Sequence, residues 1–366
     1  MSNILGFGTA TPRFAIGQRE AAAIAATLCP ASDEQRRFLP LVYRQTGIKQ
    51  RGTVVLDSQP DGEHSPQSFY RVATDVEDHG PSTAQRMEWY ESHAKVLAVA
   101  AGRRALADAG LAAASVTHTV TVSCSGFQSP GFDVALLQEL ELHPDTPRTH
   151  IGFMGCHGAF NGLRVANAFA ASHPEATVLV CAVELCSLHH LYSWRRDHLV
   201  ANALFADGAA AAICGGKAHG RRASARLVRS GSTVVPGTLD LMAWQVRDHG
   251  FEMTLSPQVP EVIENQLAGW LEPWLEDGGY STKTVGSWAI HPGGPRILSA
   301  CAAALDLPDD ALEVSQQVLA EHGNMSSPTI LFILQELRRQ GAPFPWVALA
   351  FGPGLTIEAA IFDGPD

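Results

Sequence analysis

The sequence is short of charge. Only 17% of its 366 residues are Asp, Glu, Lys or Arg, too few for a chain that stays unfolded through self-repulsion. It also lacks basic excess. With 26 Lys and Arg against 37 Asp and Glu the net charge is −11, which argues against a broad nucleic-acid-binding face but leaves room for a local basic patch that holds a small anion. No apolar run reaches 18 residues, so no membrane insertion is expected. The N-terminus shows no charged segment leading into an apolar stretch, so no signal peptide is expected. The cysteines form no Cys-x-x-Cys pair, and seven is an odd number, which suits reduced thiols in the cytoplasm better than a disulfide framework. Cys181, Cys186, His189 and His190 offer metal-ligand chemistry. However, 176–183 reads as a buried strand with Cys181 as a core residue, so no metal is expected.

What the chain has is apolar content, 46%, with a mean hydropathy near zero. This is the profile of a compact enzyme with a sizeable core. Strand signals at 4–7, 117–123, 177–183 and 209–214 alternate with helical stretches at 86–109, from about 133, and at 159–172. Gly110 is the expected stop of the 86–109 helix. A second series follows: strand 225–235, helix 259–275, strand 285–290, helices after Pro295 and after Ser327, and a closing strand 346–351. Strands separated by helices indicate an α/β fold. The two series divide the chain into a half over 1–222 and a half over 223–366. The polar stretch 57–80 reads as a surface loop.

Three segments carry chemistry. Cys156 lies in Met154-Gly155-Cys156-His157-Gly158, just ahead of a helix with one apolar face. Free backbone N–H groups and the positive end of the helix dipole at such a position favour thiolate over thiol. His291 ends an apolar strand and precedes Pro292-Gly293-Gly294-Pro295, a usual place for a catalytic side chain in α/β folds. Asn324 lies in Gly323-Asn324-Met325-Ser326-Ser327, ahead of another helix. Taken singly, these are a buried thiol, a core histidine and a capping Asn. Together they put three competent side chains at glycine-flanked element ends. Cys, His and Asn serve two chemistries. In a hydrolase the His is a base oriented by the Asn. In a condensing enzyme the Cys carries an acyl group, while His and Asn donate to a thioester carbonyl as malonate loses CO₂. The Cys–His spacing is close to that of papain-like proteases, but the Cys-Gly-Ser-Cys-Trp signature is absent. That favours condensation.

Several strings then resemble one family. Phe205-Ala206-Asp207-Gly208, Trp288-Ala289-Ile290-His291-Pro292-Gly293-Gly294-Pro295, Gly323-Asn324-Met325-Ser326-Ser327 and Phe351-Gly352-Pro353-Gly354-Leu355-Thr356 are similar to those of type III polyketide synthases of the chalcone-synthase-like group. The resemblance runs from Leu5 to Glu358 and implies a thiolase fold with two similar halves in five layers, α-β-α-β-α. It also implies a homodimer, acyl-CoA and malonyl-CoA as substrates, and no cofactor. Cys156 would be the acyl carrier, and His291 and Asn324 the decarboxylation and oxyanion donors. Phe205 would be a gate between the CoA tunnel and the cavity. Ser326 would be a cavity wall, and Gly352, Pro353 and Gly354 the loop lining the cavity. The acyl chain would be extended several times and cyclised to a pyrone or resorcinol. The alternatives are a single-condensation 3-oxoacyl synthase and a cysteine hydrolase.

The sequence departs from the plant members in its pocket. Met253 takes the place of a second gating Phe; Cys124, Cys186 and His189 take those of cavity threonines; Trp244 replaces a floor glycine, blocking or redirecting one lobe; and Ser129 falls where a residue crosses the dimer interface. Arg36, Arg37, Arg44, Lys49 and Arg51 are candidates for holding CoA phosphates, with a solvated charged face as the alternative. The pattern from Met242 to Pro257 is similar to that of microbial alkylpyrone and alkylresorcinol synthases.

Overall fold

A computed structural model describes residues 2–59, 66–216 and 223–365. Position 222, where the sequence divides the halves, lies outside the described residues. So does the middle of the 57–80 stretch. The strands are β1 (Ser2–Ala10), β2 (Ala15–Gly17), β3 (Gln50–Gly52), β4 (His118–Ser123), β5 (Arg148–Gly152), β6 (Thr177–Leu185), β7 (Asp207–Gly215), β8 (Ala225–Val234), β9 (Met242–Arg247), β10 (Gly250–Leu255), β11 (Ser287–Ile290), β12 (Trp346–Gly352) and β13 (Thr356–Asp363). The helices are α1 (Gln18–Leu28), α2 (Asp33–Gln45), α3 (Thr83–Ala109), α4 (Phe132–Glu139), α5 (Gly158–Ser172), α6 (Arg196–Leu204), α7 (Val259–Asp277), α8 (Pro295–Ala304), α9 (Glu313–His322) and α10 (Thr329–Gln340).

Among the described residues the main sheet has nine strands in the order β11-β12-β13-β8-β1-β7-β6-β4-β5. It is two sheets joined at one seam, where β1 and β8 pair over Ser2, Asn3 and Ile4 only. Outward from the seam the two sides repeat: an antiparallel neighbour, another antiparallel neighbour, then a parallel one.

Side-chain alternation explains the layers. In β6, Val178 and Val180 face one core while Leu179, Cys181 and Val183 face another, as a period of two requires. A strand covered on both faces reads as an unbroken apolar run, and all nine residues of β6 are buried. The central core holds α5 (Ala159, Phe160, Leu163) and α10 (Ile330, Ile333, Leu337) between the two sides of the sheet. One outer core packs α3 and α4 on β6 and β7. The other packs α7 and α8 on β11, β12 and β13. The five-layer α-β-α-β-α arrangement follows, as expected. In α7 the buried residues Val259, Ile263, Leu267, Leu271 and Leu275 recur every fourth position and form one stripe. The α3 helix lies so close to β1 that a Cβ at Gly8 would come within 2.2 Å of the Ala101 carbonyl.

Most elements match the sequence expectations, and Gly110 caps α3 in the left-handed conformation. The closing strand does not. Residues 346–351 form β12, and the chain ends on β13, which pairs between β12 and β8. Cys181 is a fully buried core residue. Among the described residues no helix is long and apolar enough to cross a membrane, and no cluster of His, Cys, Asp or Glu is arranged to hold a metal ion.

Candidate active site

Cys156 stands in a single 3-10 turn, Gly155–His157, between β5 and α5. Gly155 has φ +69°, and a Cβ there would come within 2.6 Å of the Pro353 ring. The thiol is buried, and this overrides the helix-start argument. Burial pushes it up to about 12, and the nearby Glu184 charge adds to the rise; hydrogen bonding from Ser326 and Asn324 opposes it without winning. Cys156 therefore rests as a thiol, contrary to the thiolate expected from the helix start.

His291 directly follows β11, and its backbone N–H donates to the Leu349 carbonyl at 2.8 Å. The ring is 1% exposed, and neither nitrogen has a hydrogen-bond partner. Burial, with His157 nearby, holds its pKa down at about 3, so the imidazole is neutral. Asn324 follows α9 through Gly323, whose φ of +74° permits the turn. Two backbone bonds splice it to the other side of the molecule: Asn324 N to Leu204 O at 3.0 Å and Ala206 N to Asn324 O at 2.9 Å. Its Oδ1 accepts from Ser326 N at 2.8 Å. An oxygen used in this way leaves the amide NH₂ to donate, and Asn324 is one of the two side chains hydrogen-bonding the Cys156 sulfur.

Around Cys156 lies a small cavity of about 20 Å³, walled by Cys124, Cys186, Phe205, Trp244, Met253, Ser326 and Pro353 among others. Ser326 Oγ is 3.5 Å from the Cys124 sulfur. A larger cavity of about 90 Å³ shares Cys186, Phe205, Trp244 and Met253 with it and extends to the apolar face of α1. Trp244 and Met253 are cross-strand partners in the β9–β10 hairpin. The Trp244 indole N–H donates to the Cys124 carbonyl at 2.7 Å. Trp244 therefore lines both cavities, its indole held at the Cys124 carbonyl.

Three expected pocket residues are not among those lining the cavity at Cys156. His189 lines the larger cavity and not the one at Cys156. Its ring is committed to backbone, with Nε2 to Ser125 O at 2.6 Å and Nδ1 accepting from Phe251 N at 3.0 Å. It adds nothing to the hydrogen bonds open to a ligand. Gly352 packs against the His157 ring, and Gly354 offers its carbonyl to Thr238 at 3.1 Å. Of that loop only Pro353 reaches the cavity. Arg51 is also withdrawn from the surface: its guanidinium donates to the Asn202 and Phe205 carbonyls. Arg36, Arg37, Arg44 and Lys49 stay exposed.

One residue had not been anticipated. Glu184, fully buried at the end of β6, accepts from Cys124 N and Ser125 N at 3.0 Å and from the Ser125 and Ser327 hydroxyls at 2.6 Å. Burial raises its pKa despite these bonds. An acid closing an otherwise apolar strand was the signal available. The candidate site thus holds a buried thiol with an amide against it and, near the adjoining His157, an imidazole with neither nitrogen bonded.

The model for chalcone and stilbene synthases, N-terminal domain, matches residues 1–218, and that for the C-terminal domain matches 226–364. Among curated proteins, alpha-pyrone synthesis polyketide synthase-like Pks18 of Mycobacterium tuberculosis is 34% identical, over 98% of this chain and 90% of its own. The 1,3,6,8-tetrahydroxynaphthalene synthase of Streptomyces peucetius is 31% identical, over 98% and 92%. Among solved structures, PKS-I of the brown alga Ectocarpus siliculosus superposes with a TM-score of 0.90 at 29% identity, covering 99% of this chain and 98% of that one.

Proposed function

This chain belongs to the chalcone and stilbene synthase family and is a type III polyketide synthase with the thiolase fold, and from that premise we propose how its residues divide the work. An acyl-CoA starter transfers its acyl group to the Cys156 sulfur, and the thiol proton leaves with CoA. Malonyl-CoA then enters with its thioester carbonyl oxygen against His291 and Asn324. Loss of CO₂ places negative charge on that oxygen, and two donors aimed at it in a dry cavity lower the barrier. The resulting carbanion attacks the Cys156 thioester and releases the sulfur, and the lengthened chain returns to it. After a few rounds the chain cyclises to a pyrone or resorcinol.

The observation that carries this reading is the His291 ring, buried with both nitrogens unpartnered. A buried polar group left unbonded is costly, and a thioester oxygen at that position supplies the missing partner. Phe205, Met253 and Trp244 act as the gate and partition between the two cavities, with Cys124, Cys186, Ser326 and Pro353 as walls. We further propose that the enzyme is cytoplasmic, that the halves 1–222 and 223–366 are its structural units, and that two copies associate along β5. Among the described residues that strand pairs on one side only, and Phe127, Phe153 and Met154 are exposed beside it. An open edge with apolar neighbours favours pairing with a second copy.

The test is incubation with a series of acyl-CoA starters and labelled malonyl-CoA. Release of CO₂ and cyclised products of several extensions are expected; single-extension products alone would favour a 3-oxoacyl synthase, and free acid formed without malonyl-CoA would favour a hydrolase.

A further inference from the structure

Cys156 is followed by a second buried histidine with no part in the steps above. His157 is 2% exposed. Its Nδ1 lies 3.0 Å from the Asn161 Oδ1. That oxygen can only accept, so Nδ1 carries the proton. The amide is oriented from its far side, where Asn161 Nδ2 donates to Glu358 Oε1 at 3.2 Å. Glu358 is itself buried and paired with Arg164, a partly exposed residue on α5. A line of four side chains thus runs from the surface to the neighbour of the nucleophile. The opposite edge of the His157 ring packs on Gly352 so closely that a Cβ there would come within 2.1 Å of Cδ2 and 2.6 Å of Nε2. Gly352 ends β12, which pairs in parallel with β11, the strand that delivers His291.

A working imidazole is ordinarily oriented by a third group on its other nitrogen. His291 has none, whereas His157 has a chain of three. We propose that His157 is a positioning residue for decarboxylation: held in one tautomer by Asn161 and Glu358, it braces the end of β12 beside the strand that delivers His291, whereas a proton on it places a charge on the ring edge packed against Gly352, undoes that brace and stops turnover. This rests on the role given to His291 above. The titratable and charged groups around His157 are Cys156 beside it, His291 from β11, Glu358 from β13 and Arg164 from its own helix. Burial, the largest influence, favours the neutral ring, as does Arg164; Glu358 and Asn161 favour the charged one. The balance falls on the neutral side, and Asn161 and Glu358 are the handles that move it.

The experiment is the pH dependence of CO₂ release from labelled malonyl-CoA at saturation, for the wild type, His157→Phe and Asn161→Asp. Alkylation of Cys156 by iodoacetamide reports that each variant has a formed site. Asn161→Asp sets a carboxylate against the Nδ1 proton, so the acid limb should move up by about one pH unit. His157→Phe cannot titrate, so its activity should persist to lower pH than the wild type's. Acid limbs that coincide in all three proteins overturn the proposal, as does a limb moved upward in His157→Phe. Should the Phe variant fail to fold, the direction of the Asn161→Asp shift decides alone. Absence of CO₂ release from the wild type at every pH overturns the role of His291 and this proposal with it. Coincident limbs with CO₂ released overturn only the proposal.

Discussion

Two buried polar centres neighbour the Cys156-His157 turn, and they are built in opposite ways. Glu184 is surrounded by donors: two backbone N–H groups and two hydroxyls lie within 3.0 Å of its carboxylate. His291 is equally buried and has no donor or acceptor on either nitrogen. The first centre is closed, because every polar atom there is spent on holding the end of β4 and the Ser326-Ser327 loop to β6. The second is open, and in the proposed reaction its hydrogen-bonding capacity serves the thioester oxygen of the substrate.

The largest change comes from removing the Cys156 thiol. Cys156→Ala should abolish labelling by a radioactive acyl-CoA and reduce product formation to background; label retained by the variant would move the nucleophile elsewhere. Substitution of each centre then separates them. His291→Ala should lower turnover by roughly 10²–10³-fold while leaving the melting temperature unchanged or slightly higher, since an unpartnered buried group is lost. Glu184→Ala should do the reverse to stability. It strips the acceptor from two hydroxyls and two N–H groups and should cost about 3 kcal/mol or more, read by calorimetry. Equal melting temperatures for the two variants would erase the contrast.

The pH dependence of stability is a smaller effect. His189 and His291 are held at about 3, each mainly by burial, below the unfolded value of 6.5. Their unfolded forms therefore take up protons that the native forms refuse. Their contribution is complete above about pH 6.5 and is lost as pH falls toward 3. Asp207, raised to about 6 by burial, works the other way between the unfolded value of 3.8 and 6. Two uptakes against one release leave a net uptake of about one proton on unfolding between pH 4 and 6. These three groups should thus lower stability by about 1.4 kcal/mol per pH unit on acidification, measured as urea midpoints. A midpoint rising between pH 6 and 4 would contradict the sign. Least of all, Trp244→Phe loses one indole hydrogen bond to Cys124 and should cost about 1 kcal/mol, with a modest shift in product mass and no loss of acyl loading.

The sequence made the fold and the placing of Cys156, His291 and Asn324 at element ends legible because both are written locally. The unbroken apolar run of β6, the fourth-residue stripe of α7 and the glycines around Cys156 and Asn324 each announce their element from within a few residues. What it concealed depends on distant partners. The donors to Glu184 come from β4 and from beyond α9, so the strand gave no hint of how the acid is satisfied. The Cys156 thiol is governed by burial, which no helix-start argument contains. His189 stands where a pocket residue was expected, yet its ring is spent on Ser125 and Phe251, two backbone groups far away in the chain. β13 was missed because its glycine-rich approach reads as a loop while its pairing with β8 is remote.

The backbone splice between Leu204-Phe205-Ala206 and Asn324 has a consequence for adaptation. The residue proposed to regulate entry and the residue proposed to bind the oxygen hang on the same pair of main-chain hydrogen bonds. A mutation that shifts the Phe205 backbone to admit a bulkier guest drags the Asn324 amide with it. Breadth of diet and speed of turnover are thus geared together here, and a broader appetite is reached most cheaply through side chains such as Met253 and Trp244, which lie outside that linkage.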